Sequence, residues 1–71
     1  MKKTLLIDGM MCMHCAAHIE KALKAVESVS SVVVDLNSKT AVVTAASDVS
    51  DAVLGKAVED AGYTVTDIKG E

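Results

Sequence analysis

Twice along this chain the hydrophobic period changes from two to nearly four, and that alternation limits the folds open to it. Lys3 to Ile7 is short and apolar, closed by Asp8-Gly9, and reads as a strand with Leu5 and Ile7 on one face. From about His14 to Glu27, Ala16, Ile19, Leu23 and Val26 recur at helical spacing with Ala22 beside them. Glu20, Lys21, Lys24 and Glu27 fall mainly on the other side, so the segment is an amphipathic helix starting at or just before Cys15. Val29 to Leu36 is a β-branched run in which Val32, Val34 and Leu36 point one way and Val33 and Asp35 the other. Asn37-Ser38-Lys39 is turn-like, and Thr40 to Ala45 resumes a strand, which predicts a hairpin. Alternation alone leaves open which face of Ala41-Val42-Val43 points inward.

The second helical stripe is Leu54, Ala57, Val58 and Ala61. Within Ser47-Asp48-Val49-Ser50-Asp51, Ser50 is the N-cap candidate, and Asp51 sits well against the helix dipole. Gly55 weakens this helix, Gly62 ends it as a C-terminal cap, and Tyr63 to Ile68 forms a last strand. The order β-α-β-β-α-β matches an α+β, ferredoxin-like plan: a four-stranded antiparallel sheet with two helices on one face. At 71 residues the chain reads as one domain, residues 1–71. A domain of this size buries only about 60% of the surface its unfolded chain exposes, which leaves little room for a deep substrate cavity. This argues for a binding protein, not an enzyme.

Tyr63 is the only aromatic residue, so the core is aliphatic. A net charge of −3 and the lack of stacking rings disfavour nucleic-acid binding. Lys2-Lys3 before Leu5-Leu6-Ile7 imitates a signal peptide, but the apolar run stops at Asp8. No stretch has the length of a membrane-spanning helix, so no direct membrane insertion is expected. The expectation is a cytoplasmic chain, where thiols stay reduced and a close cysteine pair binds metal or does redox work.

That pair is Cys12 and Cys15, in Gly9-Met10-Met11-Cys12-Met13-His14-Cys15. Two sulfurs at a loop-to-helix junction are close enough to chelate one ion. The helix N-terminus favours the thiolate of Cys15. Soft thiolates select soft ions such as Cu(I), and two of them leave a tetrahedral Zn(II) site two ligands short. A zinc ribbon needs a second pair, which is absent, and haem attachment needs His where Ala16 stands. A thioredoxin-like dithiol-disulfide oxidoreductase shares the motif, though the strand order does not suit it. Burial of both cysteines as packing residues is disfavoured by their polar, glycine-led loop.

Gly9, Met10, Cys12 and Cys15 after a first strand resemble the heavy-metal-associated domain of copper chaperones and P-type metal-transporting ATPases. Glu59-Asp60-Ala61-Gly62-Tyr63 resembles that family's second-helix ending. The resemblance spans nearly the whole chain and departs at Met11, where Thr or Ser is common. It implies Cu(I), or alternatively Hg(II), Zn(II) or Cd(II), bound by the two cysteines and passed between carriers by ligand exchange. The implied partner is a P-type ATPase or its metal-binding domain. A chain of this sequence also fits such a domain within an ATPase.

The neighbours carry weaker expectations. Met10 is read as a core residue anchoring the loop, with a thioether ligand as the alternative. Met11 and Met13 are loop residues facing solvent or a partner. His14 defaults to solvent, with charge tuning or a third ligand in a metal-bridged homodimer as alternatives. His18, one turn after Cys15, defaults to a solvated helix face, with completion of a Zn(II) site as the alternative. The resemblance to bacterial chaperones assigns Tyr63 to shielding the metal and donating a hydrogen bond toward a cysteine sulfur. Lys21 and Lys24 are either a solvated face or a surface that steers an acidic partner.

Overall fold

A computed structural model describes residues 1–9, 13–47 and 49–70. Six elements follow in order: β1 (Lys2–Asp8), α1 (Met13–Lys24), β2 (Val29–Asp35), β3 (Thr40–Ala45), α2 (Asp51–Asp60) and β4 (Thr64–Gly70). The strands form one sheet in the order β2-β3-β1-β4, and β1–β3, β1–β4 and β2–β3 all pair antiparallel. This is the expected ferredoxin-like arrangement.

The core lies between the sheet and the helices. Leu5 and Ile7 of β1 are buried together, as alternation from Lys3 to Ile7 requires. The register settles the face that the sequence left open on β3. Ala41 pairs with Leu5 and Val34, Val43 with Lys3 and Val32, and Ala41, Val43 and Ala45 are buried. Val42 takes the open face, opposite Val33, which is 64% exposed. Ile19 and Leu23 of α1, and Leu54 and Val58 of α2, close the same cluster from above.

α1 is shorter than its apolar period suggests. Its regular part stops at Lys24, and the next turn tightens, with the N–H of Val26 donating to Leu23 O at 3.1 Å. Ser28 then takes a φ of 75°, which turns the chain into β2. Val26 still packs against the core from beyond the helix end, so its place in the stripe was right although the helical boundary was late.

α2 starts and stops as its sequence indicates. The side chain of Ser50 accepts from the N–H of Val53 at 3.4 Å. At the other end the Gly62 N–H donates to Glu59 O at 2.9 Å and the Tyr63 N–H to Val58 O at 3.2 Å. That pair of bonds is the Schellman closure, and it needs the left-handed φ of 98° that Gly62 adopts. The cap residue itself is Ala61, with Gly62 following it. Tyr63 precedes β4, which begins one residue later than the sequence analysis placed it and runs on to Gly70.

Candidate metal centre

The two motifs singled out in the sequence meet at one end of the sheet. β1 pairs with β4 so that Asp8 stands opposite Thr64. Gly9 follows Asp8 and Tyr63 precedes Thr64, so the loop leading to the cysteines and the turn leaving α2 are neighbours. A Cβ placed on Gly9 would sit 3.7 Å from Tyr63 Cδ1, an ordinary van der Waals contact. Gly9 has a φ of 88°, a backbone state that costs an L-residue about 1–2 kcal/mol.

A β-bulge fixes which residue arrives there. Leu6 pairs with Asp67 but Ile7 with Val65, so Thr66 is skipped, and its hydroxyl donates to Leu6 O at 3.3 Å. Without that skip, continuing the register would set Thr64 against Gly9; with it, the facing residue is Tyr63. The bulge has no signature in the sequence. No glycine marks it, and Thr66 is an ordinary strand residue.

Cys15 is the third residue of α1, inside its first turn. It is half-buried and packs against the core cluster, as does Tyr63. Its backbone is therefore held by the helix, while its sulfur lies at the boundary between core and solvent. No acidic residue occupies the first turn of α1, so no side chain of that turn offsets the positive end of the helix dipole. An anionic thiolate suits that position.

Cys12, Met10 and Met11 lie outside the described residues, as does Asp48. In sequence Cys12 directly precedes Met13, the first residue of α1. Met13 is 78% exposed, as its reading as a residue facing solvent or a partner requires, but it opens α1 and is not a loop residue. His14 and His18 are exposed on α1, and among the described residues no three His, Cys, Asp or Glu side chains gather into a metal cluster. Lys21 and Lys24 are exposed as expected, with Lys24 Nζ 3.5 Å from Glu20 Oε1. The shallow groove between the helices, lined by Ala22, Ala25, Val53 and Ala57 among others, includes none of the site residues. No helix among the described residues is long and apolar enough to cross a membrane.

Comparison with known proteins bears on this geometry. The profile of the heavy-metal-associated domain matches residues 4–64. The chain is 38% identical over 66 residues to a mercuric reductase of Shewanella putrefaciens, covering 93% of this chain and 12% of that protein. It is 46% identical over 57 residues to copper-transporting ATPase 1 of Rattus norvegicus, covering 79% of this chain and 4% of that one. The chain thus spans only a small fraction of the length of these relatives. The copper chaperone CopZ of Bacillus subtilis is 38% identical, with 90% of this chain and 94% of that protein aligned. Among solved structures, a CopZ metallochaperone superposes with a TM-score of 0.87 at 33% identity, over 93% of this chain and all of that one.

Proposed function

The chain belongs to the heavy-metal-associated domain family, and from that premise we propose that it binds a soft metal ion, Cu(I) foremost, between the thiolates of Cys12 and Cys15 and passes it to a partner. One observation carries the reading: Cys15 sits half-buried in the first turn of α1, at a dipole end that no acidic side chain of that turn offsets. There the helix supports a thiolate on a fixed backbone, and a thiolate is the form that binds a soft ion.

Residues 1–71 act in this proposal as a single binding domain that performs no catalysis. Cys12 and Cys15 are the ligands. Met10 anchors the loop, and Tyr63 shields the ion from the side of the α2–β4 turn. His14 and His18 take no part in holding it. Transfer is an exchange of like ligands. A thiolate of the partner's own cysteine pair attacks the bound Cu(I), a three-coordinate intermediate forms, and one thiolate of this chain leaves. The second exchange completes the hand-over with no change in oxidation state. The partner is a P-type ATPase or its metal-binding domain, and the compartment is the cytoplasm, where both thiols stay reduced.

The test is anaerobic titration of the reduced protein with Cu(I) and with Zn(II), each against a competing chelator. The titration is repeated with Cys12→Ser, Cys15→Ser and the double variant. Tight Cu(I) binding that requires both sulfurs is expected. Binding that survives loss of both would refute the proposal.

The similarity to mercuric reductase supports a second reading, Hg(II) in place of Cu(I). Hg(II) is also soft and content with two thiolates, so the same ligands serve. Competition between Cu(I) and Hg(II) for one equivalent of protein, followed by transfer to an ATPase metal-binding domain, separates the two readings by which ion is delivered.

A further inference from the structure

We infer that His14 and His18 form a second metal site on the solvent face of α1, one for a borderline divalent ion such as Zn(II) or Ni(II). This site is separate from the thiolates. Both residues lie within α1, four positions apart. Four residues advance a helix by about 6 Å and 400°, so the two residues sit one turn apart and only about 40° apart around the axis. Helical side chains lean toward the N-terminus, which brings the His18 ring over the turn that carries His14. Residues at this spacing have Cβ atoms about 5–6 Å apart, within reach of one shared ion. It is the spacing at which two helical histidines bind zinc in other settings.

Three further observations support the pair. Both residues are exposed, so their rings need not be dug out of the core. No hydrogen bond or ion pair engages either imidazole among the described residues, so binding breaks no existing contact. The neighbouring Cys15 turns the other way and packs with Ile19 and Leu23 against the core. The thiol and the imidazoles therefore face different surroundings on one helix. The donor chemistry separates them too: imidazole suits Zn(II), Ni(II) and Cu(II), whereas thiolate takes the softer Cu(I). Two protein ligands leave the other coordination positions to water, so binding is exchangeable. Lys21 follows His18 by three residues on the same stripe, and its exposed ammonium opposes a cation there.

The experiment uses the full chain carrying Cys12→Ser and Cys15→Ser, which removes the thiolates from the competition. Ni(II) is titrated in by calorimetry and followed by NMR, where the paramagnetic ion broadens nearby signals. One equivalent is expected to bind, with broadening confined to the first two turns of α1. His14→Ala and His18→Ala should each weaken binding by about tenfold or more, because the second imidazole no longer binds as an intramolecular ligand. Lys21→Glu should tighten binding, since it replaces the opposing charge with a third donor one turn away. Unchanged Ni(II) affinity in both histidine variants would overturn the inference, and so would broadening centred elsewhere. None of these readouts depends on Cu(I), so the two metal proposals stand or fall separately.

Discussion

The ring of Tyr63 lies against Gly9, close enough that a Cβ at Gly9 would meet Tyr63 Cδ1 at 3.7 Å. This contact joins the turn after α2 to the loop that leads to Cys12 and Cys15. If the ring shields the bound ion, its removal should change kinetics more than fold. Tyr63→Phe keeps the ring and removes only the hydroxyl, so it should speed metal release less than loss of the whole ring does. Tyr63→Ala should speed capture of Cu(I) by a bidentate chelator by about tenfold, the lower end of what loss of a supporting contact costs a metal site. Stopped-flow absorbance of the chelator complex reads both. Equal rates in all three proteins would reduce the contact to packing.

Two glycines of the same region should respond to alanine with opposite signs. Gly55 is inside α2, and nothing lies within 4 Å of a Cβ added there. Gly55→Ala should therefore stabilise the fold by about 0.5–1 kcal/mol, through helix propensity alone. Gly62 also has open space around its Cβ position, but its φ is 98°. Gly62→Ala should destabilise by about 1–2 kcal/mol from backbone strain. Urea midpoints of the two variants check the sign, and the lack of steric neighbours makes each a clean measure of backbone preference.

How much of this was legible in advance follows from which signals are local. Helix periods, the Ser50 cap and the Gly62 stop were readable because each is written within a few residues of where it acts. The inward face of β3 was not. It is set by pairing Ala41 with both Leu5 and Val34, a relationship across three strands. The placing of Tyr63 against Gly9 is compatible with what the resemblance implies. The device that puts it there, a bulge skipping Thr66 between two long-range pairings, has no signature in the sequence. The end of α1 was misjudged because Val26 continues the apolar period while lying beyond the regular helix.

The start of α2 is tied down twice. Ser50 Oγ accepts from the Val53 N–H at 3.4 Å, and Lys3 Nζ donates to Val49 O at 2.9 Å and pairs with Asp51. The cap bond is long, so Ser50→Ala should cost near the lower end of the usual range, about 0.5–1 kcal/mol. Asp51→Asn should cost less than about 1 kcal/mol, because Asp51 is 59% exposed and solvent screens the pair. Its effect should shrink in high salt while that of Ser50→Ala stays constant. Thermal melts at low and high ionic strength distinguish them.

Lys39 closes the turn between β2 and β3 with a φ of 57°, and its carbonyl accepts the Ile7 N–H at 2.9 Å. The side chain is exposed and makes no hydrogen bond or ion pair among the described residues. Lys39→Gly should thus relieve left-handed strain and keep the backbone bond. The gain should be about 0.5–1 kcal/mol after the extra freedom of glycine in the unfolded chain is subtracted. Lys39→Val, β-branched at the same φ, should lose stability. A rise in melting temperature for Lys39→Val would contradict this account of the turn.

Ile19 links the stability of the domain to the proposed cargo. It is fully buried in α1, one turn beyond Cys15, and Ile19→Ala should cost about 2–5 kcal/mol through lost burial and an unfilled cavity. A domain of this length has about 4–10 kcal/mol to lose, so the metal-free variant should be partly unfolded at ambient temperature. An ion that binds only the folded form, present at a thousandfold above its dissociation constant, restores about 4 kcal/mol. Ile19→Ala should therefore refold when free Cu(I) is buffered at that level, visible as recovered helical circular dichroism. The same protein carrying Cys15→Ser should not. Recovery without Cys15 would mean that the ion stabilises the fold from somewhere other than the first turn of α1.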